Sequence, residues 1–512
     1  MKRLFLLIFI PLSILFVFIS LLSLKWYMNR DLPIFLYLGF MIDHLNAVPY
    51  LDFYDPNMPG TYFFYLIVGR LFGYSDLGAR CADLLYLTSI LVITWLWLKE
   101  LGWKIAWCSA ILFGLVYLGY GPYMSLQRDY LQILPIIVAV FVSSSFHKLN
   151  STVRASMIGV LFGLAAMIKP HSAIGFPLVL FFLLWDIKEQ KQGTSLLGSK
   201  GLIIITSSVL GFAGPLVAAG FYLWQVGGLS SFVDIGMNYW PLYNNLTIDH
   251  RTIFGVSRYL YLIKGYAYFV GKTVWLVPAA IGAYISLFQS TLPGSQRRQV
   301  LLLIGLTVLY SVYPVFTGKY WSYHWVLFIY FVVLVSSLCF VERPQVALKY
   351  ERLFPVIILL LTIVLFIRPP HQFMDQMMGR PLEAPDGSRV DEIAIYLKSH
   401  MKAGDKVQPL DWTGGAIHAM LIARAPIATP FVYDLQFYHH VSKKYVHKLR
   451  KRFIESLNIS RPRFIIQIID NKPWVSGPDT TRYFEELDRL LLTDYLPSLK
   501  GSGYVIYERA QR

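Results

Sequence analysis

The sequence is poor in charge. Only 15% of its 512 residues are Asp, Glu, Lys or Arg, while 56% are hydrophobic. A soluble domain carries about a quarter charged residues, so an ordinary water-soluble enzyme is excluded. Cysteine is scarce too. Cys81, Cys108 and Cys339 all fall in apolar stretches, where none bridges a soluble region and none has metal-ligand spacing. No RNA- or DNA-binding motif is present, and the tail has neither a Gly-rich phosphate loop nor a Ser/His/Asp spacing. No internal repeat relates the two halves. The net charge of +16 therefore points to membrane loops and lipid headgroups, with no nucleic-acid partner.

What the sequence does have is long apolar runs. Roughly eleven approach the ~20 residues that cross a bilayer as a helix: residues 4–24, 81–98, 105–120, 131–146, 157–168, 173–185, 202–224, 269–288, 300–316, 325–340 and 354–367. The fifth and sixth are short and share the break Lys169-Pro170, so a single bent hairpin is the alternative there. Met1-Lys2-Arg3 opens like a signal peptide. The run behind it is long and no small-residue cleavage site closes it, so it reads as an uncleaved first helix.

Basic loops set the expected orientation. With the N-terminus inside, Lys99, Lys104, Lys148, Arg154, Lys188, Lys191, Lys200, Arg297, Arg298, Arg343, Lys349 and Arg352 fall in inside loops. Residues 25–80, 121–129, 225–268, 318–324 and the tail then lie outside. Residues 61–72 are apolar, aromatic and too short to span, the profile of an interfacial helix. Charge density becomes ordinary in the tail. Helical patterns at 390–400 and 481–492, with strand patterns at 406–410, 464–469 and 503–507, suggest a small α/β domain. The expected fold is an α-helical polytopic membrane domain over 1–368, followed by an extracytoplasmic α/β domain over 369–512.

Acids crowd behind the first run: Asp31, Asp43, Asp52 and Asp55 stand between Arg30 and Gly60. A carboxylate at the bilayer boundary must be solvated, paired or working. The plain reading of Asp31 is a partner for Arg30 or Lys25. Further on, Gln127-Arg128-Asp129 offers Arg128 to a phosphate and Asp129 as a supporting or metal-facing acid, unless the two simply pair. Lys169-Pro170-His171 interrupts an apolar stretch. A lysine there is costly unless it faces a cavity or snorkels, and the broken helix frees backbone groups. In Gly318-Lys319-Tyr320-Trp321-Ser322-Tyr323-His324, Lys319 suits a phosphate and His324 a phosphate or a sugar. Tyr320 and Tyr323 suit a sugar face or a prenyl groove, or else form an interfacial aromatic belt with an anchor lysine. Residues 225–268 are long enough to act as a lid. Asp249 and His250 within them are adjacent, which is not diagnostic metal spacing. A hard ion, Mg²⁺ or Mn²⁺, is better suited to the first-loop acids.

One pattern carries a family likeness. Asp31 is followed by Phe35 and Tyr37, then Val48-Pro49-Tyr50-Leu51-Asp52, then Asp55 and Met58-Pro59-Gly60. An aromatic helix ending in Phe72-Gly73 follows, and Arg80 enters the second run. This resembles the first outer loop of GT-C class bacterial membrane glycosyltransferases. The nearest likeness is to the protein O-mannosyltransferase and lipid A aminoarabinose transferase superfamily (glycosyltransferase 39-like), and it extends over most of the chain. It departs at two places: Leu32 follows Asp31 where many members have an Asp-Glu pair, and Met58 precedes the loop proline where many carry a charge.

The resemblance implies a polyprenyl-phosphate-linked sugar as donor and an envelope lipid, glycan or protein as acceptor. The reaction would take place at the outer face of the cytoplasmic membrane. It makes Asp31 the base, with Asp52, Asp55 and Asp129 as supporting acids. Arg128, Lys169, Lys319 and His324 would neutralise the departing phosphate, while Tyr50, His171, Tyr320 and Tyr323 contact sugar or lipid. Single displacement would invert the anomeric centre. Two rivals remain. A flippase or transporter of lipid-linked sugars would show repeated halves. A glycan polymerase or ligase using a diphosphate-linked donor would place its key residues in the 225–268 stretch.

Overall fold

The structure, a computed structural model, describes residues 2–190, 198–343, 349–469 and 475–510. Lys191, expected in an inside loop, lies outside them, as do the side chains of Lys349 and Arg352.

Helices dominate because uncharged runs of Leu, Ile, Val and Phe must satisfy their backbone internally in lipid. Among the described residues, seven helices are long and apolar enough to cross a membrane: Phe5–Lys25, Asp76–Leu98, Ser151–Ile168, Pro170–Glu189, Ser199–Gln225, Gly294–Thr317 and Ser322–Phe340. Gly255–Gly271 with Leu276–Gln289, bent by 73°, and Leu353–Phe366 with His371–Met377, bent by 71°, raise the number to nine if each pair is one span. Trp103–Gly119 and Ile133–Ser145 are shorter apolar helices. Of the roughly eleven expected spans, seven to nine thus qualify among the described residues: runs 105–120 and 131–146 fall on the two shorter helices, and run 269–288 straddles the break after Gly271. The protein is a polytopic membrane protein. The Lys169-Pro170 break separates two helices that each qualify as a span.

The chain forms two compact units. The first comprises residues 1–25, 82–218 and 263–381. Helix Val326–Ser337 is buried along its whole length, as expected of a helix that is apolar all round. Trp103–Gly119, Leu276–Tyr284 and Gly294–Thr317 pack on it. Helices Ser151–Ile168 and Ser199–Gln225 meet at their backbones. A Cβ on Gly159 would come within 2.0 Å of the Ser208 carbonyl oxygen, and one on Gly163 within 2.5 Å of that of Phe212. Gly159 and Gly163 form the small-xxx-small spacing that permits such an approach.

The second unit comprises residues 26–81, 219–262 and 382–512. Much of the acidic stretch is helical. Asp31–Leu45, buried continuously from Leu32 to Met41, packs on Pro59–Phe72 and on Ala416–Ala423. Pro59 opens its helix at a position where no backbone donor is needed. The sheet has four strands: β1 (Val407–Leu410), β2 (Phe464–Ile468), β3 (Tyr495–Gly501) and β4 (Tyr504–Arg509), in the order β1-β2-β4-β3. β1 and β2 are parallel, with Val407 opposite Phe464; β4 is antiparallel to both its neighbours. Helices Arg389–His400, Ala416–Ala423, Lys444–Ser460 and Glu485–Asp494 surround it in sequence. Residues 225–268, read as a loop, are mostly helix: Leu229–Asn238, Trp240–Tyr243 and the start of Gly255–Gly271. They are tied into the unit, because Trp240 Nε1 donates to the Pro56 carbonyl at 2.7 Å and Tyr445 donates to Asp234 at 2.8 Å.

Candidate functional site

In the first unit the site is built on the broken helix. Helix Ser151–Ile168 stops because Pro170 has no N–H and disfavours a helical residue before it. Lys169 turns extended, φ −147°, while its own N–H still reaches the Ala165 carbonyl. Its ammonium meets both oxygens of Asp129, at 2.9 and 2.7 Å. Asp129 is completely buried and accepts a third bond, from the Tyr313 hydroxyl at 2.8 Å. Gln132 Nε2 donates to that hydroxyl at 3.0 Å. Burial pushes the Asp129 carboxyl up, but the Lys169 ammonium against both its oxygens outweighs burial, so the acid is held below its ordinary range and is ionised.

His324 stands beside this pair. Its Nδ1 bonds the Lys319 carbonyl and lies 2.9 Å from the Thr317 hydroxyl. Donation to that carbonyl assigns the proton to Nδ1 and leaves the Nε2 lone pair available. Lys319 is buried, with its ammonium 5.9 Å from the centre of the Trp321 ring. The Lys169 ammonium lies 6.0 Å from the Tyr323 ring, which meets His324 edge-on at 4.7 Å. His171 is 6.2 Å from Tyr313. Tyr320 stacks on Phe269 at 5.6 Å and Trp325 at 6.0 Å, and its ring lies where a Cβ on Gly265 would sit. Asp129, Lys169, Lys319, Tyr323 and His324 are thus one cluster, whereas the Tyr320 ring is taken up by packing.

Two groups in this neighbourhood were not singled out from the sequence. Tyr313 looked like one more aromatic in an apolar run. Asp83 lies in helix Asp76–Leu98 and is fully buried. It accepts from the Tyr117 hydroxyl, from Ser125 Oγ at 2.8 Å and from the Leu126 backbone N–H at 3.3 Å. Leu126 is left-handed, φ +48°, an uncommon state for a leucine. Asp83 therefore pins the turn that delivers Gln127-Arg128-Asp129. An acid inside an apolar run was the signal that could have found it.

In the second unit, Asp31 is the first residue of its helix, preceded by Arg30 at φ +56°. A cavity of about 30 Å³ at the start of this helix is lined among others by Arg30, Pro33, Asp386, Asp411 and His418, with Asp31 itself outside the lining. His418 is buried, and its Nε2 lies 3.7 Å from Asp76. Asp52 is exposed and accepts from the Val48 N–H at 2.7 Å, closing a local turn. Asp55 is completely buried. It accepts from Asn57 N at 2.8 Å, Asn57 Nδ2 at 2.5 Å, the Tyr62 hydroxyl at 2.7 Å and the Tyr433 hydroxyl. Tyr50, left-handed at φ +67°, donates to the Asn57 carbonyl at 2.6 Å.

A divalent ion at the first-loop acids finds a poor fit. Asp55 already accepts four hydrogen bonds. Among the described residues no group of three or more His, Cys, Asp or Glu is placed to hold a metal.

Residues 55–212 match the family model of the dolichyl-phosphate-mannose-protein mannosyltransferases. No curated protein matches the sequence. Among solved structures, the chain resembles the crystal structure of ArnT from Cupriavidus metallidurans bound to undecaprenyl phosphate. The TM-score is 0.58 at 11% identity, over 98% of this chain and 97% of that one. The likeness to the GT-C superfamily, read first from the acidic stretch, is borne out by the family pattern over 55–212 and by the fold over nearly the whole chain.

Proposed function

We propose that the protein moves a single sugar from a polyprenyl-phosphate carrier to an envelope lipid, glycan or protein at the outer face of the cytoplasmic membrane. The observation that carries this reading is the buried Lys169–Asp129–Tyr313 group, with Lys319 and His324 beside it, at a break in the membrane helices. Two lysines gathered there suit a phosphate that gains charge as it leaves. The ArnT structure holds undecaprenyl phosphate, the same class of lipid. In the proposed step the acceptor hydroxyl oxygen attacks the anomeric carbon. The bond from that carbon to the phosphate oxygen breaks, and the electron pair leaves with the polyprenyl phosphate. Asp31 takes the hydroxyl proton, while Lys169, Lys319 and Arg128 neutralise the departing oxygens. No acid needs to protonate a leaving group so stabilised. One displacement inverts the anomeric centre.

The test compares wild type and Asp31→Asn in lipid, with a panel of polyprenyl-phosphate sugars and membrane extract as acceptor. The reading expects free polyprenyl phosphate from the wild type and a loss of at least ~10²-fold in the folded variant, the usual size of a general-base contribution. Equal release by both proteins would remove Asp31 from the chemistry.

A further inference from the structure

A second polar cluster lies in the first unit, between the end of one span and the start of another. The helix Leu276–Gln289, second half of the bent pair that begins at Gly255, closes with a π-turn, Ile285–Gln289, a helix irregularity often found at functional sites. Helix Lys349–Phe366 carries Pro355 inside it. A proline there cannot donate to the carbonyl four residues earlier, that of Glu351. Arg343 supplies the missing donor: its Nη2 bonds the Glu351 carbonyl at 2.8 Å and its Nη1 bonds Gln289 Oε1 at 3.1 Å. One buried guanidinium, 8% exposed, thus joins the irregular turns of both helices.

These helices frame a groove of about 710 Å³, the size of a small-molecule site. Its wall is apolar: Ala280, Ile281, Tyr284, Ile285, Phe354 and Pro355. Tyr284 and Phe354 form outward-facing lips, each more than half exposed. Arg343, Gln289 and Glu351 close its polar end. That end lies at the termini of two membrane spans, where phospholipid headgroups sit. Basic pockets between membrane helices recognise phosphate headgroups. Here an exposed carboxylate, Glu351, accompanies the guanidinium, so the polar end offers a partner for each charge of a zwitterion.

We propose that this groove holds one phospholipid with a primary-amine headgroup. One acyl chain lies between Ile281 and Phe354, the phosphodiester meets Arg343, and the ammonium meets Glu351. The site is separate from the sugar-transfer machinery and does not rest on that reading.

The test is retention of added lipid by the purified full-length protein, read by native mass spectrometry. The probes are phosphatidylethanolamine, phosphatidylcholine and phosphatidylglycerol of identical chains. The variants are Arg343→Gln, Glu351→Gln and Ile281→Trp, the last of which fills the groove without touching the polar end. Wild type should retain one ethanolamine lipid per chain, roughly tenfold in preference to the other two, the size of one charge-assisted hydrogen bond. Ile281→Trp and Arg343→Gln should lose that lipid. Glu351→Gln should keep one lipid without headgroup preference. If Arg343→Gln fails to fold, Ile281→Trp still decides. Equal retention of all three lipids by wild type, preference for the glycerol lipid or for a polyprenyl phosphate, or full retention by Ile281→Trp would each overturn the proposal.

Discussion

Lys169 holds both carboxylate oxygens of Asp129, at 2.9 and 2.7 Å, across forty residues of chain. The pair joins the break after helix Ser151–Ile168 to the turn that carries Arg128. Removing one partner of a buried pair leaves an uncompensated charge, at a cost of about 3–5 kcal/mol. Lys169→Met should therefore destabilise the protein by roughly that amount. Lys169→Met combined with Asp129→Asn should cost less than the sum of the single changes. Thermal unfolding of the four proteins in one detergent checks this, and strict additivity would show that the pair is not coupled.

Asp83 should matter through the turn it pins. Asp83→Leu removes the acceptor for Tyr117, Ser125 and Leu126 at once. It leaves buried donors unmade at about 1–3 kcal/mol each. Asp83→Asn keeps one acceptor oxygen. Transfer activity should fall steeply in the leucine variant and be partly rescued in the asparagine variant, with substrate KM rising before kcat falls. Equal activity in all three proteins would detach the turn from function.

The likeness carried by Asp31, Asp52, Asp55 and the Pro59-Gly60 helix start was legible because loop chemistry is local in sequence. The long apolar runs were legible because hydrophobic periodicity is a property of a window. What joins them was not. Asp55 reads from the sequence as a supporting loop acid, yet its partner Tyr433 is 378 residues away, and no window contains both. Lys169 signalled itself by standing at a break in an apolar run, but nothing local paired it with Asp129. The stretch 225–268 read as a loop because its helices, rich in Tyr and interrupted by Gly and Pro, lack a continuous apolar run. Strand β3 was missed because Leu-Pro-Ser-Leu-Lys, largely exposed, carries no alternating pattern.

Tyr433 should be a structural link in the second unit. Its hydroxyl bonds the buried Asp55 carboxylate. Tyr433→Phe should cost about 1.5–3 kcal/mol, the range for a hydrogen bond to a charged group. It should also make residues 382–512 more sensitive to limited proteolysis. Unchanged cleavage and unchanged melting would show that the link carries no energy.

Asp411 gives the second unit a pH dependence. Burial pushes its carboxyl up to about 7; the backbone N–H groups of Gly414 and Ala416 oppose this, and Asp434 and Asp386 add to it. The folded state thus keeps a proton that the unfolded chain has released above its ordinary value of 3.8. Stability then falls as pH rises from about 4 to about 7. Asp411→Asn, which cannot titrate, should flatten this slope; its amide NH2 must face one of the N–H donors of Gly414 and Ala416, so the melting temperature should also fall at every pH. An equal slope in the variant would assign the pH dependence elsewhere.

The most direct measurement identifies the lipid product. Purified protein in lipid is given a polyprenyl-phosphate sugar, labelled in the sugar, together with acceptor extract, and the polyprenyl species are identified by mass spectrometry. Free polyprenyl monophosphate is expected, formed in equal amount with labelled acceptor. Release of a diphosphate from a diphosphate-linked donor, or intact donor merely moved between leaflets, would contradict it.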